Sequence, residues 1–193
     1  MLRRRSLRPL IAATAAALAL FGGTTTAAAA TGPADPAAAQ ATTLYYDDSQ
    51  AAEFRSAVAA GVQVWNDNVS NVHLVRAPAG QRAQIVILAS DGWPQANLGP
   101  VRPGGQVRVW MGRQGVEEGY DPVRIAAHEL GHSLGLPDIK PGPCSSLMSG
   151  STAGTSCTNA VPNATERARV EANYSGTLAH REPADGRVLV DAP

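Results

Sequence analysis

The sequence has only two cysteines, no surplus of charge of either sign and, beyond its N-terminus, no long apolar run. Its 193 residues carry 16 basic and 16 acidic side chains, so the formal net charge at pH 7 is zero. Without the first forty residues, 12 basic and 15 acidic side chains remain, for a net charge of −3. Such a balance lacks the basic patch typical of nucleic-acid binding. Nucleic acid is therefore not an expected partner.

The apolar run at the N-terminus is typical of an export signal. Four arginines precede an apolar stretch over residues 10–21, and A-x-A cleavage sites follow between Ala27 and Ala30. This stretch is too short to span a membrane. We predict a signal peptide over residues 1–30, a short pro-segment or linker over 31–41, and a secreted, extracellular mature protein without a membrane segment. Sec export is expected, and Arg4-Arg5 leaves the twin-arginine route as the alternative.

The two cysteines, Cys144 and Cys157, are enough for one bridge. In an exported chain two cysteines most simply form a disulfide. Zinc ligation by the pair is the alternative, but their separation of 13 residues matches no zinc-knuckle spacing. Closing a loop of this size stabilises a fold by roughly 3 kcal/mol in the chain-entropy model.

The most informative segment is 128–138, which has the pattern H-E-x-x-H-x-x-G-x-x-D. Residues four apart lie on one face of a helix, so His128 and His132 can hold one metal ion together. Glu129 follows the first histidine, where its carboxylate can reach a water on the metal without being a ligand. The spacing therefore predicts a zinc site at which Glu129 is the general base for attack by a metal-activated water.

The residues after this helix predict a third ligand. Gly135 permits the left-handed conformation that ends a helix, and Pro137 cannot continue one. The chain then turns back, so that Asp138 brings an oxygen ligand to the metal. Zinc with three protein ligands keeps its fourth position open for water, which distinguishes a catalytic site from a structural one. The full pattern arises by chance in roughly 1 in 10,000 chains of this length.

Two alternatives stay open from the residues alone. Glu166 or Glu171 could supply a distant third ligand, as in thermolysin-like enzymes, although Asp138 at its short spacing argues against this. The chain could also be a non-catalytic zinc-dependent binding or inhibitory module. The presence of Glu129 argues against the module, because such a protein needs no base at that position.

The histidine motif resembles that of the metzincin metalloproteases. Its aspartate, in place of the usual third histidine, resembles the snapalysin family of small secreted neutral zinc proteases. The segment 145–150 resembles the Met-turn, whose Met148 would lie beneath the metal site, and Cys144 and Cys157 enclose it as a disulfide does in the family. The similarity covers about residues 42–176, the expected protease domain. The tail, residues 177–193, has no counterpart there, and its role is not predicted.

The resemblance implies a zinc metalloendopeptidase, a hydrolase that acts on protein or peptide substrates, and we expect a monomer. It also implies a calcium site just before the zinc helix, at Asp121 and Val123. Because valine has no side-chain oxygen, Val123 would have to bind calcium through its backbone carbonyl. The substrate backbone would pair with a sheet edge near residues 97–99.

Hydrophobic periodicity predicts an α+β fold in a single domain: a twisted mixed sheet, a packing helix, an active-site helix and a C-terminal helix. The resemblance implies that this fold is metzincin-like. Strands are expected from alternating or β-branched runs over residues 42–46, 72–76, 84–89 and 106–111. Cap signals and apolar spacing predict helices from Asp48 or Ser49 to Asp67, from Asp121-Pro122 through the histidine motif, and from Asn163 to Tyr174. Glycine and proline punctuate residues 91–105.

Overall fold

The computed structural model describes residues 40–176 and 186–193. The predicted signal peptide, most of the predicted pro-segment or linker, and residues 177–185 of the tail lie outside these ranges. All of the described residues belong to one compact unit. None of the helices in the described ranges has both the length and the apolar character needed to cross a membrane.

A six-stranded sheet lies at the centre of the fold. In chain order its strands are β1 (Thr42–Gln50), β2 (Val72–Arg76), β3 (Ile85–Ser90), β4 (Gln95–Asn97), β5 (Val107–Gly112) and β6 (Val188–Val190). Their spatial order is β2-β1-β3-β5-β4-β6. The pairs β1–β2, β1–β3 and β3–β5 are parallel, whereas β4 is antiparallel to β5 and to β6. The predicted mixed sheet is confirmed.

Helices cover the sheet and close the core. They are α1 (Arg55–Asn68), α2 (Arg113–Glu117), α3 (Pro122–Ser133) and α4 (Ala164–Asn173). The buried indole of Trp65 in α1 donates a hydrogen bond to the carbonyl of Ala127 in α3, at 2.8 Å. Gly61 brings the two helices close, because a Cβ at that position would lie 2.9 Å from the Ala127 nitrogen. The crossing fixes the helix that carries the histidine motif.

The two central strands alternate as the sequence predicts. Ile85 and Ile87 of β3 and Val107 and Val109 of β5 are buried with apolar residues of α1 and α3 in one hydrophobic cluster. The residues between them are more exposed, notably Arg108. Burial of alternate β-branched side chains is the main force that fixes the register of such strands.

The predicted start of the first helix is wrong. Asp48 and Ser49 belong to β1, which continues to Gln50, and a 3₁₀ turn over Ala52–Phe54 leads into α1. Neither the turn nor α1 has a side-chain cap. The Asp48 carboxylate is instead buried and pairs with the guanidinium of Arg76 at 2.5 Å. The capping rules predict that Asp48 caps the helix, but its side chain forms an ion pair with a residue that is distant in the sequence.

Two short strands and one short α-helix were not predicted. Strand β4 lies inside the segment rich in glycine and proline, α2 follows β5 directly, and β6 lies in the tail. Strands of three residues are too short to show an alternating pattern, so hydrophobic periodicity gives no signal for them. Strand β6 places the end of the tail against β4, on the outer side of the sheet.

Candidate active site

The ends of α3 position the histidine motif. Asp121 is the N-cap, with its side chain accepting a hydrogen bond from the Arg124 N–H at 2.8 Å, and Pro122 occupies the first turn. Both features follow the sequence prediction. Gly135 has a φ of 95°, which turns the chain back after the helix. A Cβ there would lie 2.8 Å from Pro100 Cδ, so the position also needs the smaller residue.

Backbone carbonyls orient both imidazoles of the motif. Nδ1 lies 3.0 Å from the Leu147 carbonyl in His128 and 2.7 Å from the Leu136 carbonyl in His132. Because a carbonyl can only accept, the Nδ1 atom of each neutral ring carries the proton and its Nε2 keeps a lone pair for a metal. Both rings are buried, and neither Nε2 has a hydrogen-bond partner in the described part of the chain. This is the arrangement of a metal-binding histidine.

Asp138 reaches the same point. Its Oδ1 lies 3.4 Å from Nε2 of His128 and 3.5 Å from Nε2 of His132, and like them it is buried without a hydrogen-bond partner among the described residues. The three ligand atoms all lie within 4.8 Å of one another. Two imidazole nitrogens and one carboxylate oxygen are donors that zinc accepts. The residues present therefore fit the metal that the sequence predicts.

Glu129 lies beside this cluster without joining it. Its side chain is completely buried, and neither carboxylate oxygen has a hydrogen-bond partner in the described ranges. Burial raises the pKa of its carboxyl well above the ordinary range, and the nearby carboxylates of Asp191 and Asp138 add to that effect. A carboxyl in this environment holds a proton more firmly than an exposed glutamate does.

The ionisable groups of the cluster act strongly on one another. Burial lowers the pKa of His128, but the surrounding carboxylates, with Asp138 first, outweigh it and raise the pKa to about 9. In His132, burial and the charge of His128 lower the pKa. Burial opposes ionisation of Asp138, yet the two imidazoles hold its pKa below the ordinary value. The carboxylates around the two imidazoles therefore favour positive charge in this cluster, as a bound cation would supply.

Met148 packs against α3 at Gly131, and the place beneath the metal that the resemblance implies for it stays a prediction. Met148 is fully buried in the 3₁₀ segment Leu147–Ala153. A Cβ on Gly131 would lie 2.8 Å from the Met148 sulfur, so the glycine between the two histidines makes room for this side chain. Met148 packs against the backbone of the motif and takes no visible part in its chemistry.

Glu166 holds residues 146–148, which we call the Met148 segment, in place. Its buried carboxylate accepts hydrogen bonds from the Ser146 hydroxyl at 2.7 Å and from the Met148 N–H at 2.9 Å. It also forms the predicted capping box with Asn163 at the start of α4. Glu171 accepts from two backbone N–H groups near the start of β2. Neither glutamate belongs to a metal-type cluster in the described residues, so the thermolysin-like alternative has no support.

The cysteines are joined as predicted. A disulfide links Cys144 to Cys157 and encloses the segment that contains Met148.

The predicted calcium site at Asp121 and Val123 has no comparable support. Asp121 uses its Oδ1 to cap α3, and it belongs to neither of the two three-residue clusters of acidic and imidazole side chains found in the described ranges. Calcium at Asp121 and Val123 stays a prediction.

Asp191 is a site residue that the sequence analysis missed. Its buried carboxylate lies 4.0 Å from Nε2 of His128, and its Oδ1 pairs with the Lys140 ammonium at 2.6 Å. Ligand atoms of His128, Glu129 and Asp191 form a second set within 4.8 Å. No spacing rule could have found it, because β6 brings Asp191 to the site from a tail that matched no motif.

Residues 41–176 match the sequence profile of the Streptomyces extracellular neutral proteinase (M7) family. The chain belongs to this family. The predicted resemblance to the small secreted neutral proteases is thereby confirmed. The match ends at residue 176, so the tail lies beyond it.

Relatives within the family are extracellular small neutral proteases. That of Streptomyces sp. (strain C5) is 40% identical over 132 residues, which are 68% of this chain and 56% of that protein. That of Streptomyces caespitosus is 41% identical over 129 residues, which are 67% of this chain and 94% of that protein. The chain thus spans little more than half of the first relative and nearly all of the second. Among solved structures, the archaemetzincin from Methanopyrus kandleri is 13% identical, with a TM-score of 0.46 over 70% of this chain and 97% of that one.

Proposed function

We propose that the mature chain is a secreted zinc endopeptidase that hydrolyses peptide bonds in protein or peptide substrates. One observation carries the proposal: a fully buried glutamate without a hydrogen-bond partner in the described residues lies beside three converging, equally unpartnered ligand atoms. Membership of a family described as extracellular neutral proteinases supports both the reaction and the secretion.

His128, His132 and Asp138 would hold the zinc. When bound, zinc supplies Lewis-acid chemistry that polarises the scissile carbonyl and makes a neighbouring water more acidic. The carbonyls of Leu147 and Leu136 fix the imidazole rings, so both Nε2 atoms are oriented before the metal arrives. This preorganisation means that metal binding requires little rearrangement of the buried side chains.

Glu129 would move the proton. As a carboxylate it accepts the proton of the attacking water, and as a carboxylic acid it passes that proton to the leaving amine. Its environment suits both steps. No other hydrogen bond of the described residues competes for its oxygens, and burial, which raises the pKa of this carboxyl, favours the protonated form that passes its proton to the amine.

An extended substrate would pair with β4 and the residues that follow it. The Gly99 N–H donates to the His132 carbonyl at 2.8 Å, so this edge continues directly to the end of the motif helix. A peptide on that edge would have its backbone next to Glu129 and the metal ligands, in the β-addition mode of peptide recognition. The remaining expectations, a monomer and a calcium ion near Asp121 and Val123, are tested by sedimentation and by melting with and without calcium.

Replacement of Glu129 by glutamine tests the mechanism. Glu129→Gln should keep zinc and the fold but lose proteolysis by at least about 10²–10⁴-fold, because an amide cannot accept the water proton. Casein hydrolysis and zinc content are measured on the same samples, with the exposed Glu117→Gln as control. Loss of zinc together with activity would show that Glu129 has a structural role. If zinc-loaded protein shows no chelator-sensitive hydrolysis, and the variants of residues 189 and 191 introduced in the next subsection show none either, the chain would be the non-catalytic binding or inhibitory module.

A further inference from the structure

The described end of the chain, residues 186–193, lies against the active site, and we call it the terminal segment. Its strand β6 pairs antiparallel with β4, with Leu189 opposite Ala96. Backbone hydrogen bonds extend this pairing at both ends. The Leu98 N–H donates to the Arg187 carbonyl at 2.9 Å, and the Asp191 N–H donates to the Pro94 carbonyl at 2.8 Å. The terminal segment therefore covers the whole of β4.

This edge of the sheet is the one that a substrate would use. An extended peptide binds a sheet edge through the same backbone hydrogen bonds that β6 makes. Beyond β4 the chain runs through Leu98, which is bonded to the terminal segment, to Gly99, which is bonded to the motif helix. Strand β6 thus lies where the backbone of a bound peptide would lie.

Asp191 extends from this strand towards the metal ligands. Its side chain is only 6% exposed, and its Oδ2 lies 4.0 Å from Nε2 of His128. One carboxylate oxygen of Asp191 lies within 4.8 Å of ligand atoms of both His128 and Glu129. The water to be deprotonated by Glu129 must lie between the base and the metal ligands. The Asp191 carboxylate occupies that neighbourhood.

The position of Asp191 is built by other parts of the chain. The Ser151 N–H donates to Asp191 Oδ1 at 2.9 Å, and the Ser151 hydroxyl donates to the Ala192 carbonyl at 2.8 Å. Lys140, two residues after the third ligand, pairs with Asp191 at 2.6 Å. Gly150 leaves room for the carboxylate, because a Cβ at this position would lie 2.1 Å from Asp191 Oδ1. A strand that only widened the sheet would need none of these contacts.

We propose that the terminal segment is an inhibitory ligand carried by the chain itself. Strand β6 blocks the substrate edge, and the Asp191 carboxylate occupies the neighbourhood of the attacking water, where it would offer a bound zinc an additional oxygen donor. Activity then requires the terminal segment to leave the cleft. The inference rests on the proposed function, since only a catalytic cleft is inhibited in this way.

Full-length variants that release the terminal segment test the proposal. The hydrogen bonds at Arg187 and Asp191 place Leu189 on the bonded side of the antiparallel ladder, so Leu189→Pro removes a donor to β4. Asp191→Asn keeps the backbone bonds but removes the anionic oxygen. Val188→Thr is the matched control, because Val188 is 44% exposed and the variant retains both the Leu189 backbone N–H and the Asp191 carboxylate.

The first readout is binding and does not depend on activity. The probe is a fluorescein-labelled peptide with the sequence of residues 186–193, added to zinc-loaded protein. It should bind the Leu189→Pro chain at least tenfold more tightly than the parent or Val188→Thr, in which the attached terminal segment competes at high effective concentration. A peptide with asparagine at the position of Asp191 should bind at least tenfold more weakly. Equal binding to parent and Leu189→Pro, or no binding to Leu189→Pro, would overturn the proposal.

The second readout is hydrolysis of an internally quenched peptide. Leu189→Pro and Asp191→Asn should each be at least tenfold faster than the parent, with Val188→Thr unchanged. If Leu189→Pro does not fold, Asp191→Asn decides. Variants that melt earlier and are no faster would show a purely structural strand and refute inhibition. If every zinc-loaded chain is inactive while the labelled peptide still binds only the Leu189→Pro chain, the proposed function fails but the terminal segment remains a ligand of the cleft.

Discussion

At the scale of single residues, the site consists of polar atoms that folding leaves without partners. The unpartnered atoms in the described ranges include Nε2 of both histidines, both oxygens of Glu129 and Oδ1 of Asp138. Each such buried atom costs about 1–3 kcal/mol when nothing satisfies it. A sequence selected for stability alone would not retain this set. We expect a bound cation and a water to satisfy these atoms, in which case the residues that hold the metal also lower the stability of the metal-free chain.

Asp138 should decide whether the chain keeps its metal. We expect Asp138→Ala to lose zinc on dialysis, because two imidazoles alone leave the ion with too few protein ligands. The fall in affinity should exceed the 10–100-fold that is typical for loss of a residue supporting a ligand. Zinc content after dialysis is the measurement, with the exposed Asp67→Ala as control. Full occupancy in Asp138→Ala would assign the third ligand elsewhere, with Asp191 as the first residue to test.

At the scale of elements, the segment under the motif helix depends on one buried carboxylate. Glu166 receives two backbone N–H groups and one hydroxyl from residues 146–148. Glu166→Gln should lower the free energy of unfolding by about 1–3 kcal/mol, because the amide cannot accept from all of these donors. Thermal melting with zinc present measures the effect, and the exposed Glu118→Gln is the control. An unchanged melting temperature would show that the segment holds its position without Glu166.

The disulfide holds the same segment from outside. Removing it in a Cys144→Ser/Cys157→Ser chain should cost roughly 3 kcal/mol of stability. It should also weaken zinc binding, because Asp138 is followed within a few residues by the enclosed loop. A thiol count on denatured, unreduced protein establishes the bridge, and melting with and without added zinc measures the coupling. A variant that melts and retains zinc like the parent would show that the bridge does not hold the loop in place.

The elements that the sequence predicted are those with a local pattern. The motif helix has a capping aspartate and a first-turn proline at its start and a terminating glycine just past its end, and all three appear as predicted. Strands β3 and β5 show the alternation that predicted them. The helix start at Asp48 was wrong because its carboxylate pairs with Arg76, which is remote in sequence. Strand β6 and Asp191 depend entirely on a partner strand far along the chain, so no local pattern could predict them.

At the scale of the whole molecule, zinc should contribute a large share of the thermal stability. A ligand that binds only the folded chain adds about 4 kcal/mol when present at 1,000 times its dissociation constant. For a domain of about 150 residues this corresponds to a rise of roughly 8–16 °C in melting temperature. Calorimetry with zinc and after chelation measures the shift. Glu129→Gln should show the same shift and Asp138→Ala a much smaller one; equal shifts in both variants would mean that the stabilising ion binds elsewhere.

Because β6 is attached to the sheet through one neighbouring strand, we expect the inhibited protein to keep a small residual activity. Among the described strands, β6 pairs only with β4, and a few further contacts hold the terminal segment around Asp191, so it can detach while the parallel part of the sheet stays folded. If attachment is favoured by a few kcal/mol, roughly 0.1–10% of chains are open at any moment without any trigger. The residual rate of the parent, divided by the rate of Leu189→Pro, should then equal the open fraction given by hydrogen exchange at the Leu189 amide. Secreted protein would therefore begin to act at a low basal level set by the attachment equilibrium of residues 186–193.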